Sequence, residues 1–263
     1  MKKFLFIAFF VFISGCSSVP ITGRKQLSLV PDAQVTQMSL QSYNELITQS
    51  EIVKTGAQAD LVKKVGREIA DAAEAFLREN GLESELDGYF WEFNLIKEDK
   101  TVNAFCMPGG KIAVYTGILP VTKNADGLAV VLGHEVAHAI AKHGNERMSQ
   151  ELVAQFGGNV LSVITAQKSE QTQQIAMLAY GAGTQIGVLL PFSRKHELEA
   201  DEIGLILMAR AGYNPNYAVT FWQDMSAGGS GATAEIFSTH PSDSKRIESI
   251  KSLIPAAMRY YKK

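Results

Sequence analysis

The stretch GHEVAH at 133–138 constrains this chain more than any other part of its sequence. Residues four apart lie on the same face of a helix, so His134 and His138 would project side by side. Two imidazoles held in this way can bind zinc, and Glu135, about 100° round the helix, would stand beside the ion. There it can take a proton from a water on the metal. The motif predicts a zinc site with a general base; the alternative is a helix with two unrelated histidines.

Composition narrows the classes of function. The chain has 263 residues, of which 46% are hydrophobic, and this is enough to bury a core as one domain or two closely joined ones. Its formal net charge is −2 and it carries no basic stripe. Because nucleic-acid binders need such a positive surface, we expect no nucleic-acid partner.

The N-terminus has the features of a signal peptide. Two lysines precede an apolar run at 4–13, which is too short to span a bilayer. The run ends in ISGC, and small residues before a cysteine resemble the lipobox of bacterial lipoproteins. The resemblance implies cleavage after Gly15 and acylation of Cys16, which would anchor the chain to a membrane through its lipid. The alternatives are an ordinary secretory cleavage and an uncleaved anchor.

Sorting and domain organisation follow from this lipobox. By the usual rule for such lipoproteins, an aspartate after the acylated cysteine favours the inner membrane; Ser17 therefore predicts a lipid-anchored protein in the outer membrane, facing the periplasm. We expect a signal peptide at 1–15, a lipidated tether at 16–31 and a single domain at 32–263. Cys106 has no partner for an internal disulfide, so it is either a buried small residue or a thiol that pairs with another chain.

The apolar pattern predicts an α+β fold that is mainly α. Helical spacing predicts helices at 32–50, 57–80 and 194–211, while alternation predicts a strand at 89–97. A strand, a turn and a second strand are expected at 102–116, close to the metal helix.

Residues 157–190 are small, apolar and rich in glycine. Gln173, Gln174 and Gln185 interrupt this stretch, and it contains no clean run of about 18 apolar residues. The pattern favours two helices that pack through glycines, as a cover for the active site, over a membrane hairpin.

A zinc ion held by two histidines lacks a ligand, because catalytic sites usually have three protein ligands and one open position. The sequence ELEAD at 197–201 is the candidate source. Glu197 and Asp201 are four apart and share a helical face. On this pattern alone, either Glu197 binds the metal and Asp201 supports it, or the acidic residues form a solvated face.

HEVAH followed by SRKHELEADEIG resembles the zinc metallopeptidases related to the CAAX prenyl proteases and the heat-shock membrane protease HtpX, with the mitochondrial inner-membrane peptidase OMA among the relatives. Further matching pieces, from NAF at 103–105 to THP at 239–241 and RI at 246–247, follow in family order. The resemblance spans about 103 to 247 and implies a zincin-like fold, with a small β-sheet beside the HExxH helix. It also implies a metalloendopeptidase with one zinc ion per chain, here in a bacterial lipoprotein form.

The resemblance also assigns roles to single residues. His134 and His138 match the two histidine ligands, Glu197 matches the third ligand, and Glu135 matches the general base. Asp201 matches an aspartate that is credited with proton donation, although from the same place it would equally orient a ligand histidine.

The resemblance further implies a substrate strand. Asn103, Ala104 and Phe105 match an edge strand, and Gly109 and Gly110 match a turn, beside which the substrate backbone would lie. The alternative is an ordinary hairpin that completes the core, because edge exposure cannot be read from sequence.

Three alternative roles remain open for His240. It stabilises the developing oxyanion, or it occupies the open zinc position as a fourth ligand and keeps the enzyme latent, or it is a structural residue before Pro241. We expect His143 and His196 to be structural.

These features predict an endopeptidase for extended or misfolded envelope proteins, acting in quality control. The expected partners are such substrates, the membrane that holds the lipid anchor, and outer-membrane assembly machinery. The competing prediction is a non-enzymatic or latent outer-membrane assembly lipoprotein with a structural zinc. His240 would then close the site, since Cys16 is committed to lipid and structural zinc normally has four protein ligands.

Overall fold

A computed structural model describes residues 16–227, 240 and 244–261; the signal peptide predicted at 1–15 therefore lies outside the described residues. Most of the described chain is helical, and the predicted fold class, α+β and mainly α, is confirmed. The helices are α1 (Asp32–Gln49), α2 (Ala57–Glu79), α3 (Leu119–Thr122), α4 (Ala125–Ile140), α5 (His143–Thr165), α6 (Glu170–Thr184), α7 (Leu190–Arg210), α8 (Asn216–Ala227) and α9 (Ser244–Ala257).

The strands form two small sheets. In the larger sheet β5 (Lys111–Tyr115) lies in the centre, parallel to β3 (Glu92–Ile96) and antiparallel to β4 (Ala104–Met107). Strand β4 is therefore an edge strand of the described chain. The predicted order of strand, turn and strand is confirmed for β4 and β5. The strands are β1 (Cys16–Ser18), β2 (Lys25–Leu27), β3 (Glu92–Ile96), β4 (Ala104–Met107) and β5 (Lys111–Tyr115).

Helix α4 forms the centre of the hydrophobic core. The side chain of Asn124 caps it by accepting a hydrogen bond from the N–H of Gly127 at 3.0 Å. Thirteen of its sixteen residues are buried, so the helix is covered on nearly every side. Its polar side chains consequently need partners inside the protein, because a buried polar group without one is costly.

Helices α4 and α7 touch through their backbones. A Cβ atom added to Gly133 would lie 2.9 Å from the carbonyl oxygen of Gly204, and one added to Gly204 would lie 2.9 Å from the carbonyl carbon of Gly133. Two helices reach such a short separation only where both carry glycine. The contact brings the acidic residues of α7 beside the histidines of α4.

The segment at 16–31 is more ordered than the predicted tether. Its strands β1 and β2 pair antiparallel, with Cys16 opposite Leu27, and Val19 is fully buried. Sequence reasoning missed this hairpin because strands of three residues carry no periodic signal. Acylation of Cys16 stays a prediction.

Helices α5 and α6 form an antiparallel pair that packs through glycine, as predicted. A Cβ atom on Gly157 would lie 2.2 Å from the hydroxyl of Tyr180, which donates to the carbonyl of Ala154 at 2.8 Å. Helix α6 continues through a π-helical turn at Gln185–Leu189 into α7, so the helix predicted to begin at 194 begins earlier.

This continuous run, Glu170–Arg210, is long and apolar enough to cross a membrane by length and composition, and none of its apolar window is buried. Its neighbour α5 also exposes large apolar side chains, among them Phe156 and Val163. None of the residues that line the cleft described below comes from 157–190, so the predicted cover over the active site is not seen in the described chain.

Candidate metal centre

The predicted ligands of the metal lie together in the fold. Helix α4 contributes His134 and His138, helix α7 contributes Glu197, and His240 approaches from the C-terminal part. One ligand atom from each of these four residues can be chosen so that all lie within 4.8 Å of one another. The side chains of His134 and Glu197 are buried, and those of His138 and His240 are partly buried.

The spacing of these atoms fits zinc. Ligands at about 2.0–2.1 Å from a tetrahedral zinc ion lie roughly 3.3 Å from one another. Nε2 of His134 lies 3.1 Å from Nε2 of His138 and 3.2 Å from Oε2 of Glu197. Nδ1 of His240 lies 3.2 Å from Nε2 of His134 and 3.0 Å from Oε2 of Glu197. Nitrogen and oxygen donors at this separation suit a small cation between them.

Charge points to the same conclusion. Glu135, Glu197 and Asp201 are buried close together, and Arg246 is the buried cation among them. With the histidines neutral, as metal ligands must be, and the three carboxylates ionised, Arg246 leaves two negative charges uncompensated in this group, which burial makes costly. Burial opposes ionisation of Glu197, but hydrogen bonds from the histidines outweigh it and hold its pKa well below the ordinary value. A divalent cation would balance the group.

Asp201 lies behind His134. Its Oδ1 is 3.0 Å from Nδ1 of His134, the ring nitrogen that faces away from the other ligands. Arg246 holds the same carboxylate through two hydrogen bonds, at 2.7 and 2.8 Å. This geometry favours orientation of the ligand over direct proton donation, because the carboxylate fixes the tautomer in which Nε2 is free to bind metal.

Arg246 is a residue whose role sequence reasoning missed. It is buried, lies 3.2 Å from Oε2 of Glu197, and its guanidinium carbon stands 3.9 Å from the centre of the Trp222 ring. The signal was an arginine in the first turn of the last helix, within the matching piece at 246–247. Without a long-range contact, that position could not be tied to Asp201.

Glu135 faces the open side of the cluster. Its Oε1 is 3.3 Å from Nε2 of His240, and it lines a cleft of about 370 Å³ together with His138. Burial raises the pKa of its carboxyl group above the ordinary value. A carboxylate with a raised pKa is a better proton acceptor, as a general base requires.

The edge strand forms the other wall of this cleft. Asn103, Ala104 and Phe105 line it, and their contact with a substrate stays a prediction. The side-chain oxygen of Asn103 accepts the N–H of Ala104 at 2.9 Å. Tyr115 donates its N–H to the carbonyl of Asn103, so these two residues form a hydrogen-bonded pair between β5 and the start of β4. In an antiparallel ladder the next residue belongs to a non-hydrogen-bonded pair, so the N–H and C=O of Ala104 point away from β5, toward the open edge.

Two predicted substrate residues lie elsewhere. Gly110 packs against Trp91, where a Cβ atom would lie 2.7 Å from the indole ring, and it does not line the cleft. Gly109 lines a neighbouring cavity beside Thr36. Both glycines have positive φ, 85° and 79°, so their role in the fold is to form the turn from β4 to β5.

A family-wide comparison decides the classification. The family model for Peptidase family M48 matches residues 58–254, a range that includes all four residues of the cluster. The chain belongs to peptidase family M48. Proteases of this family use zinc, in agreement with the donor set and charge of the M48 centre described here.

Individual relatives are also similar to this M48 chain. The mitochondrial metalloendopeptidase OMA1 of Schizosaccharomyces pombe is 42% identical over 64% of the chain and 48% of its own length. The protein of the same name in Saccharomyces cerevisiae is 28% identical over 99% of the chain and 76% of its own length. The Beta-barrel assembly-enhancing protease of Escherichia coli is 30% identical over 60% of the chain and 33% of its own length.

These relatives correct the predicted localisation. The expectation of a lipid-anchored protein in the outer membrane, facing the periplasm, is wrong on this comparison, because the two yeast relatives are mitochondrial proteases. The bacterial lipoprotein form of the family is likewise not supported. The chain spans about half the length of the fission yeast relative.

The structure also shows the surroundings of Cys106 and His143, whose roles the sequence left to prediction. Cys106 is a buried residue of β4, and burial raises the pKa of its thiol well above the ordinary value, which agrees with the prediction of a buried small residue. His143, which we expected to be structural, contacts the predicted ligand His138, with 2.9 Å between the two Nδ1 atoms.

Proposed function

We propose that this M48 chain is a zinc-dependent endopeptidase that hydrolyses extended segments of unfolded or misfolded proteins, in protein quality control. One observation carries the proposal: the buried Glu135 stands beside the four-residue cluster in a cleft whose other wall is an edge strand. A general base, a metal site and a place for an extended backbone meet there.

The residues divide the chemistry between them. His134, His138 and Glu197 would hold the metal. When bound, zinc supplies Lewis-acid chemistry, which polarises a peptide carbonyl and makes water more acidic. Glu135 accepts the proton of the attacking water and then returns it to the leaving amine. The scissile C–N bond breaks without a covalent link to the chain.

The edge strand supports a preference for extended backbone. A substrate that pairs with β4 needs the backbone groups of Ala104 that face the open edge, so it must replace Asn103 as the acceptor of the Ala104 N–H. Main-chain pairing of this kind fixes the position of the peptide without a deep pocket for one side chain. The substrates are therefore defined by their conformation, which unfolded proteins offer.

His240 supports a latent form of the enzyme as the second candidate. Its Nδ1 stands among the three ligand atoms, where a catalytic site keeps an open position. A four-ligand set is also what the non-enzymatic alternative with a structural zinc requires. The latent enzyme and the non-enzymatic protein differ in what they require of Glu135: the enzyme needs it as a general base, and a structural zinc site does not need it.

The test is cleavage of unfolded casein by the purified full chain at known zinc content. Cleavage should stop when zinc is removed with a chelator and return when one equivalent is restored. A fully metallated chain without casein cleavage, and with none after replacement of His240, would exclude the endopeptidase and leave the structural site.

A further inference from the structure

We propose that Arg24, in the loop between β1 and β2, is a positioning residue for the metal ligand His138, acting through Glu199 and His143. The inference rests on the proposed function in one respect: it takes His138 to bind zinc. It gives a role at the metal centre to a segment more than a hundred residues away in sequence.

The first step is the contact between two imidazoles. Nδ1 of His143 lies 2.9 Å from Nδ1 of His138, and Nε2 of His143 lies 3.0 Å from Oε2 of Glu199. Nε2 of His138 faces the cluster and needs its lone pair for the metal, so the proton of that ring sits on Nδ1. His138 therefore donates to His143, which in turn donates its Nε2–H to Glu199.

The second step is the contact from Glu199 to the N-terminal hairpin. Nε of Arg24 donates to Oε2 of Glu199 at 2.7 Å, and the hydroxyl of Thr22 donates to Oε1 of the same carboxylate. The terminal nitrogens of Arg24 donate to both oxygens of Glu146, at 3.0 and 2.6 Å. The planar guanidinium thus fixes the position of Glu199 with a donor that points in one direction.

The other ligand histidine offers a parallel. Nδ1 of His134 meets Asp201, and Asp201 is held by Arg246. Behind each ligand histidine stands a carboxylate that is clamped by an arginine, with His143 as an additional member on the His138 side. Such outer partners set the tautomer and the ring orientation of a metal ligand, and their loss weakens metal binding. By the same reasoning Arg24 keeps His138 in its binding orientation.

A purely structural role for Arg24 makes a different prediction. Arg24 also neutralises Glu146, which contacts His196 at 2.9 Å, and the ring of His196 stacks on that of His143. If Arg24 served only to neutralise buried carboxylates, its loss would lower stability and leave the metal affinity of the folded chain unchanged. Metal affinity and ligand geometry are therefore the informative measurements, and both can be made without a protease assay.

The experiment uses the full chain and compares Arg24→Ala with the parent. We measure the zinc Kd by competition with a chelator and the visible spectrum of the cobalt-substituted chain, with thermal unfolding as the measure of fold. Arg24→Ala should raise the zinc Kd about ten-fold and change the cobalt spectrum. Arg24→Lys should fall between the parent and Arg24→Ala, because one ammonium group cannot reproduce the fork.

Control variants test whether the change in zinc affinity comes from the path through Arg24 and Glu199. Lys25→Ala changes an exposed neighbour whose ammonium contacts Ser18, and it should leave the zinc Kd and the cobalt spectrum unchanged. Glu199→Gln should weaken zinc binding as Arg24→Ala does. Combining the two should add little to Glu199→Gln alone, because both remove the same path.

The inference is overturned if folded Arg24→Ala binds zinc with the affinity and cobalt spectrum of the parent, even at a lower melting temperature. If Arg24→Ala does not fold, unchanged zinc affinity in Arg24→Lys and Glu199→Gln overturns it equally. A parent that binds no zinc would refute this inference together with the proposed metal site. A parent that binds zinc but cleaves no casein would refute the endopeptidase alone, and a raised Kd in Arg24→Ala would still support the inference.

Discussion

Nδ1 of His240 lies 3.2 Å from Nε2 of His134, in the position that a catalytic zinc site normally keeps open for water. The two residues are 106 positions apart, so this contact depends on the tertiary fold and not on local sequence. It divides the proposed function into a latent form, with His240 among the ligands, and an open form without it.

Replacing His240 by alanine should therefore raise proteolysis. If the open form is about a tenth of the population, the rate of casein cleavage at equal zinc occupancy should rise about ten-fold. The initial rate is measured with zinc content determined on the same sample. Loss of zinc and of folded structure in His240→Ala would instead favour a structural zinc with four protein ligands.

Alanine at the contact between α4 and α7 should separate the two helices. Gly133→Ala places a methyl group 2.9 Å from the carbonyl oxygen of Gly204, so either a backbone shift or strain must follow. We expect a loss of about 1–3 kcal/mol in the free energy of unfolding. Zinc binding should weaken as well, because the shift moves His134 away from Glu197.

Gly144→Ala is the matched control for that change. Gly144 lies in helix α5, and a Cβ atom there would meet no atom within 4 Å. The free energy of unfolding in urea should equal or slightly exceed that of the parent, since alanine favours the helix. The zinc Kd, measured by competition, should equal that of the parent. Equal behaviour of Gly133→Ala and Gly144→Ala would contradict the close contact.

Replacing Asp201 by asparagine should separate its two proposed roles. If Asp201 orients His134, Asp201→Asn should raise the zinc Kd about 10- to 100-fold. If Asp201 instead donates a proton to the leaving group, the same change should lower the turnover of the fully metallated chain and leave the zinc Kd unchanged. The contact at 3.0 Å to Nδ1 of His134 leads us to expect the first result.

The sequence indicated the two histidine ligands because their spacing is local, whereas Glu197 was assigned as the third ligand only by the family resemblance. His134 and His138 are one turn apart, and Glu197 with Asp201 repeats that spacing on a second helix. What joins the two helices, the contact of Gly133 with Gly204, is a relation between distant positions and leaves no pattern in either segment. Arg24 was missed for the same reason, since an isolated arginine in a short hairpin does not show which carboxylates it meets.

Stability at low pH should depend on Glu146. Burial opposes its ionisation, but hydrogen bonds from His196 and Arg24 outweigh this and lower its pKa from 4.5 to about 2. A carboxyl whose pKa is lowered by folding stabilises the fold above the unfolded pKa, and this stabilisation is lost as the pH falls toward the folded pKa. The contribution should therefore be complete above about pH 4.5 and disappear between there and pH 2.

Urea unfolding of the parent and Glu146→Gln at several pH values checks this window. The difference in the free energy of unfolding should be constant from pH 7 to 5 and shrink as the pH approaches 2. Both chains are measured after zinc has been removed with a chelator, so that loss of the metal in acid does not contribute to the difference. A difference that is the same at pH 3 and at pH 7 would show that ionised Glu146 contributes nothing.

The most direct test of the central claim, a general base at a zinc site, is Glu135→Gln. With one zinc bound in both chains, cleavage of unfolded casein should fall at least about 100-fold, because glutamine has the same shape but cannot accept the proton. Zinc affinity should stay within a few-fold of the parent, since Glu135 is not among the four clustered ligand atoms. Casein cleavage at the parental rate by zinc-loaded Glu135→Gln would contradict the account.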